Sequence, residues 1–176
     1  MIPRIIPKRA RSRDLEALLQ MLFIAELLEP SQQLWVVSPW LSDVPVIDNR
    51  TGVLSRYSAR WGEVHVRLLE VLHELAERGT EVRIVTQEHE SNYEFLRAAR
   101  RLSEGLTGRG CVSVQIDTVL HTKGILGDSF WMAGSMNLTA WGVQRNDEQV
   151  TLHVGPPLDL VVSQRSHFAQ VYGARP

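Results

Sequence analysis

Between Asp14 and Glu29, apolar side chains recur at positions 15, 18, 19, 22 and 23, a spacing that gathers them on one face of a helix. Asp14 is a suitable N-cap for it and Pro30 a stop. The run Leu34 to Val37 is apolar without interruption and predicts a short buried strand. Residues 41–62 form a long, turn-rich connection of the kind that in a compact domain usually serves function or moves. A second helix is expected from about Glu63 to Arg78, with apolar positions 64, 68, 71, 72 and 75 and with Gly79 closing it. TEVRIVTQ reads as a strand, SNYEFLRAARRL as a helix that Ser91 can cap, and VSVQIDTVL as a strand leading to residue 121. FWMAGS and QVTLHV predict two further strands, and LDLVVSQRSHFAQVY a final helix after Gly155-Pro156-Pro157.

Strand and helix thus alternate through most of the chain, with a hairpin and a closing strand added late. That order predicts an α/β fold with a mixed, largely parallel sheet flanked by helices. The length of 176 residues fits one domain, 1–176, with a sizeable core. No segment repeats, and none is of low complexity.

Composition excludes little: 44% hydrophobic and 22% charged residues suit a globular protein. No apolar run reaches the roughly 18 residues of a membrane span, so no membrane partner is expected. The opening MIPRIIPKRARSRD lacks a long apolar core before a small-residue cleavage site, which makes it a poor secretory signal. Cys111 is the single cysteine, a usage that suits a reducing compartment, and the expected location is the cytoplasm. A net charge of -1 gives no global basic field. The sign is uneven, however. Residues 1–13 hold Arg4, Lys8, Arg9, Arg11 and Arg13 without an acid, a basic N-terminal arm, and Arg97, Arg100 and Arg101 share a predicted helix. Each group is read either as solvated surface or as a phosphate-tracking element.

The densest polar chemistry lies in HTKGILGDSFWMAGSMNLT, residues 121–139: His121-x-Lys123-x4-Asp128-x5-Gly134-Ser135-x-Asn137. On a strand, His121 and Lys123 would share a face, as would Ser135 and Asn137. Gly127-Asp128-Ser129 is a turn signal, so a hairpin would bring the two pairs together. One imidazole, one ammonium, one hydroxyl and one carboxamide then share a surface, without the carboxylate cluster a metal would require. A phosphodiester fits that set, because its non-bridging oxygens need donors and imidazole can attack phosphorus. Gly134 allows the backbone to approach a ligand or another strand closely. A carboxylate on the second imidazole nitrogen would fix the tautomer of His121, and Glu148, in the run RNDEQV, is the candidate.

These residues are similar to the HKD signature of the phospholipase D superfamily, and Asn146-Asp147-Glu148 resembles the acidic stretch that follows it there. The gap between Asp128 and Gly134 is shorter than members commonly have, which implies a tighter hairpin and a place for Asp128 in the turn or in structural hydrogen bonds. The resemblance implies a phospholipase D-like fold and catalytic roles for His121, Lys123, Asp128, Ser135, Asn137 and Glu148. Two such motifs meet in the family across a twofold axis; one histidine becomes a phosphohistidine while its counterpart protonates the leaving group. With a single motif, this chain is therefore expected to work as a homodimer with a shared site, as in the small single-motif bacterial nucleases. No metal or other cofactor is implied, since lysines and asparagines neutralise the phosphate charge.

The segment SPWLSDVPVIDNR follows the first strand of the predicted sheet, where open α/β sheets place their ligands. Ser38, Trp40, Asp43, Asp48, Asn49 and Arg50 are candidates to line the site entrance or merely to cover the core. Ser38, Trp40, Arg50 and Gly134 are the expected substrate-binding residues. The segment is also similar to one in phospholipase D-like proteins encoded with bacterial DNA-modification and phage-defence systems. Trp131 and Trp141 flank the motif as packing residues or base-stacking platforms. The histidines at 65, 73, 89, 153 and 167 show no metal-ligand spacing. The expected function is a metal-independent phosphodiesterase on nucleic acid, a DNA endonuclease in restriction or phage defence that works with other proteins of such a system. The competing expectations are a hydrolase or transferase acting on phospholipid diesters and a non-catalytic DNA-binding subunit.

Overall fold

A computed structural model of the chain describes residues 4–6, 12–144, 148–155 and 159–173. The elements run β1 (Arg4–Ile6), α1 (Ser12–Leu28), β2 (Gln33–Val37), β3 (Pro45–Asp48), β4 (His65–Arg67) and α2 (Leu68–Glu77). They continue through β5 (Glu81–Thr86), α3 (Tyr93–Glu104), β6 (Cys111–Ile116), β7 (Gly124–Leu126) and β8 (Phe130–Gly134). The last three are α4 (Ala140–Gln144), β9 (Val150–Val154) and α5 (Asp159–Tyr172).

Seven strands form one sheet in the order β1-β9-β8-β7-β2-β5-β6, and β3 pairs with β4 in a separate ribbon. The mixed α/β fold flanked by helices is as the sequence predicts, but the balance of pairings is not. Only β2/β5 and β5/β6 are parallel; β1/β9, β9/β8, β8/β7 and β7/β2 are antiparallel. The reason is connectivity: parallel neighbours need a crossover, supplied here by α2 and α3, whereas β7 and β8 are joined by a tight turn.

Alternation along each strand sends side chains to two different cores. Leu34, Val36, Val82, Ile84, Val112, Ile125 and Met132 pack in one core with α1, α2 and α3. Trp35, Val37, Val85, Leu126 and Trp131 pack in a second core with Val161, Phe168 and Tyr172 of α5. The Phe168 ring lies 5.6 Å from Trp35 and 5.4 Å, edge-on, from Trp131. Full burial of such a side chain contributes about 1.5–3 kcal/mol. Trp131 is therefore a core residue rather than a stacking platform.

Several boundaries depart from the expected ones, each for a local reason. α1 starts two residues early, at Ser12. The helix expected from Glu63 is instead β4 followed by α2, because Val66 and its neighbours pair with β3. Asp43 then caps α2 by accepting from the amide of Leu69 at 2.9 Å, and Glu70 accepts from the amide of Arg67 at 2.8 Å. Gly79 closes α2 with φ +108, a left-handed conformation that favours glycine. α3 begins at Tyr93 after a single 3-10 turn, so Ser91 does not cap it. Within the connection 41–62 the chain forms β3 and a 3-10 turn over Val53–Arg56. The expected basic arm is in part the edge strand β1, with Arg4 opposite Leu152; Lys8, Arg9 and Arg11 lie outside the described residues.

Candidate functional site

The strand predicted to reach residue 121 ends at Ile116. There the Asp117 carboxylate accepts from the amide of Val119 at 2.9 Å, and this local turn takes the place of further ladder bonds. His121 and Lys123 consequently sit on a loop before β7 rather than on a strand. The loop is held from three sides. The Gln87 amide donates to the carbonyls of Thr118 and Leu120, at 3.4 and 3.0 Å. Tyr172 of α5 hydrogen bonds the side chain of Thr122. The Lys123 ammonium donates back to the His121 carbonyl at 3.0 Å. Burial, partly offset by the Thr122 bond, pushes the Tyr172 phenol above its ordinary pKa, so it stays a neutral hydroxyl. His121 is exposed and Lys123 half-buried.

The β7/β8 hairpin brings the second half of the motif alongside. Lys123 and Gly134 are joined across it by the Gly134 amide, 3.3 Å from the Lys123 carbonyl. A Cβ on Gly134 would lie 2.0 Å from the carbonyl oxygen of Gln149, so the glycine serves close approach to the neighbouring chain near β9. Ser135 is fixed by Gln149, which accepts from the Ser135 amide and donates its own amide to the Ser135 hydroxyl, both at 3.0 Å. That hydroxyl donates to the carboxylate of Glu148, which is 8% exposed. No hydrogen bond joins Glu148 to the His121 ring among the described residues. Asn146 and Asp147 lie outside them.

Asn137 is buried against the end of β2. Its Oδ1 lies 3.3 Å from the Ser38 hydroxyl, whose one proton is shared with the nearer Trp40 carbonyl at 2.8 Å. With Oδ1 engaged, the Asn137 amide nitrogen is left as a donor. A bridge between Leu41 and Leu138, with the Ser42 amide on the Leu138 carbonyl, completes the seam. Trp40 and Trp141 are exposed at this end, on the loop after β2 and on α4.

Two candidates fall elsewhere. Asp128 lies at the opposite end of the hairpin, where it pairs with Arg165 at 2.7 Å and accepts from the Gln32 amide at 2.7 Å. It anchors the turn to α5 and the start of β2 and does not share the surface of His121. Arg50, expected to bind substrate, sits after β3 with its guanidinium on Asp48 at 2.6 Å, which also holds that carboxyl well below the usual range. Asp43 and Asn49 likewise serve the loop: Asn49 is fully buried and binds Leu54, Ser55 and Gly62. Of the entrance segment, only Ser38 and Trp40 belong with the cluster.

Sequence reasoning missed the residues that hold these loops. Asn92, fully buried, donates to the carbonyls of Pro39 and Gln87 and to the Thr86 hydroxyl, and accepts from the Leu41 amide. Thr86 adds a bond to the Pro39 carbonyl at 3.1 Å. The available signal was position, since Thr86 and Gln87 end a parallel strand where open sheets build their sites. Among the described residues no group of three or more His, Cys, Asp or Glu comes together.

The hairpin thus brings the loop of His121 and Lys123 next to Gly134, and the segment after it carries Asn137 to the end of β2. Comparisons with known proteins bear on the fold. Nuc, a phospholipase D family member from Salmonella typhimurium, superposes with a TM-score of 0.58 at 16% identity, over 86% of this chain and 85% of its own. NucT from Helicobacter pylori gives 0.59 at 14% identity, over 97% and 95%. The phosphatidylserine synthase of Haemophilus influenzae gives 0.57 at 16% identity, over 96% of this chain and 37% of its own. No curated protein sequence is similar enough to count as a relative. The family model described as "Cardiolipin synthase, PLD-like domain" matches residues 23–171, and the chain thus belongs to the phospholipase D superfamily.

Proposed function

We propose that this protein is a metal-independent phosphodiesterase that cleaves nucleic acid, with DNA as its substrate. The observation that supports the reading is the contact of the Lys123 backbone with Gly134, which sets the His121–Lys123 loop beside the segment that carries Ser135 and Asn137. In the proposed reaction a His121 nitrogen attacks phosphorus, a phosphorus–nitrogen bond forms and the bond to the leaving oxygen breaks. The leaving oxygen takes a proton from His121 of a second copy of the chain, and water then cleaves the phosphohistidine with the roles reversed. Lys123 and the Asn137 amide stabilise charge on the non-bridging oxygens. Glu148 anchors the Ser135 hydroxyl. The size match to Nuc and NucT supports the single-motif, two-copy arrangement, since 85% and 95% of those chains are covered. Closed twofold dimers are also the commonest oligomers. The likeness of SPWLSDVPVIDNR to defence-associated relatives supports a role in bacterial restriction or phage defence, in the cytoplasm and with partner proteins.

The test is cleavage of plasmid and single-stranded DNA in EDTA, together with the mass of the protein in solution. Cleavage persists in EDTA, and His121→Ala lowers it by about a thousandfold or more. Activity lost on chelation alone, or a strictly monomeric active enzyme, overturns the mechanism.

A second reading, hydrolysis or transfer on phospholipid diesters, is favoured by the description of the matching family model and by the synthase among the structural neighbours. No helix among the described residues is long and apolar enough to cross a membrane. Headgroup release from liposomes without DNA cleavage would establish this reading instead.

A further inference from the structure

Five arginines have a carboxylate partner among the described residues. Arg50, Arg67, Arg78, Arg83 and Arg165 pair with Asp48, Asp43, Glu74, Glu81 and Asp128. Arg97 and Arg100 do not: both are exposed on α3, and neither guanidinium forms an ion pair among the described residues. With Tyr93 they fall on one stripe of the helix, about 10 Å long at 1.5 Å per residue. The stripe lines a groove of about 360 Å³ between α3 and the end of β6, completed by Glu88, Leu96 and Ile116. The Tyr93 ring is half exposed.

The groove ends where the His121 loop begins. Ile116 is the last residue of β6, and the chain passes from it through Asp117–Leu120 to His121. Glu88 follows Gln87, the residue that pins Thr118 and Leu120 of that loop. At the N-terminal end of α3, Asn92 ties the helix to the same loop after β2 that carries Ser38.

From these observations we infer that the α3/β6 groove holds the single strand flanking the scissile phosphodiester, with Arg97 and Arg100 on successive phosphates and Tyr93 stacked on an unpaired base. The inference rests on the proposed nucleic-acid reading and names the form of the substrate. Charge selects a polyanion, because two guanidinium groups on its phosphates release the cations condensed there. The other two groups select nucleic acid among polyanions. A ring face binds a base and has nothing to bind on a bare polyphosphate, and the Glu88 carboxylate repels phosphate but accepts from N–H groups of an unpaired base, thymine N3–H included. Strandedness follows from stacking, since a duplex hides the base faces that Tyr93 requires. Arg101, one position round the helix, donates to the Arg97 carbonyl and lies off the stripe.

The test measures binding in a His121→Ala background, which separates affinity from turnover, with fluorescent 20-mer oligothymidylate, a duplex of equal length and inorganic polyphosphate as competitor. Arg97→Ala/Arg100→Ala lowers the slope of log affinity against log salt by about 1.4, at about 0.7 per phosphate contact on a single strand. Tyr93→Ala weakens oligothymidylate binding about fivefold or more and leaves competition by polyphosphate as it was. Alanine favours the helix at these exposed positions, so the variants fold. If both variants bind the single strand with the parental affinity and salt slope, the groove is wrong, whereas cleavage by the enzyme with His121 intact would leave the proposed function standing. Preference for the duplex, or displacement by polyphosphate that does depend on Tyr93, also overturns the assignment. Groove-dependent binding by a protein that cleaves no nucleic acid would support the groove and end the catalytic reading.

Discussion

The Ser38 hydroxyl lies 3.3 Å from Oδ1 of Asn137, a bond across 99 residues of chain that ties the end of β2 to the second half of the motif. Ser38 is fully buried, and its oxygen also meets the Trp40 carbonyl and the Leu138 amide. Ser38→Ala leaves these groups without their shared partner, and a cost of about 1–3 kcal/mol in the urea midpoint is expected. The amide of Asn137 also loses its orientation. Turnover should therefore fall further than the loss of folded protein explains, and Ser38→Ala with wild-type turnover per folded molecule would remove Ser38 from the site.

Asp128 should behave in the opposite way. Its pair with Arg165 is partly exposed to solvent, so the ion pair itself contributes little, and the bond to the Gln32 amide contributes about as much again. Asp128→Ala is expected to lower stability by about 1–2 kcal/mol in chemical denaturation, with turnover per folded molecule kept. A large loss of turnover at unchanged stability would return Asp128 to the catalytic set.

Glu26 gives the fold a pH signature. It is 3% exposed and accepts from the amide and hydroxyl of Ser31 at 3.1 and 2.8 Å. Burial, the largest influence, raises its pKa above the ordinary 4.5; the Ser31 bonds oppose the rise, Asp128 adds to it and Arg165 opposes it. Above 4.5 the unfolded chain gives up this proton while the native state keeps it, so the group's contribution declines as pH rises through the raised value. Glu26→Gln keeps the shape without the charge. Relative to wild type it should gain stability between pH 4 and pH 7, read from urea midpoints across that range. A gap that shrinks with rising pH contradicts the assignment.

Phe168 carries the second core. Fully buried against Trp35, Trp131 and Tyr172, it should cost about 3–5 kcal/mol on truncation to alanine. Because Tyr172 binds Thr122 between His121 and Lys123, hydrogen exchange of the 117–123 loop is expected to quicken in Phe168→Ala even where the protein stays folded.

Legibility in the sequence followed the range of the forces involved. The leucines of α1 and the run Leu34–Val37 advertise their burial through local spacing, and both elements form. The β7/β8 hairpin was legible because it is a local structure, whereas the shared strand face expected for His121 and Lys123 gave way to a loop that ends at β7. What stayed hidden were bonds between distant segments. Asp128 stands inside the motif, yet its partner Arg165 comes from α5, and nothing in the motif distinguishes an anchor from a reacting group. Arg50 looks available until Asp48, two residues away, takes it. Asn92 carries no signature as a single letter, although it binds four groups on two loops. The parallel-versus-antiparallel balance also escaped, since strand propensity is silent on which edge of a sheet a strand joins.

The register of Arg4 against Leu152 sets a timetable for the ribosome. At ordinary rates of translation, β9 is made on the order of ten seconds after the strand it must pair with. Until β9 is made, β8 has only β7 beside it, and Ser135 lacks the Gln149 backbone that fixes it.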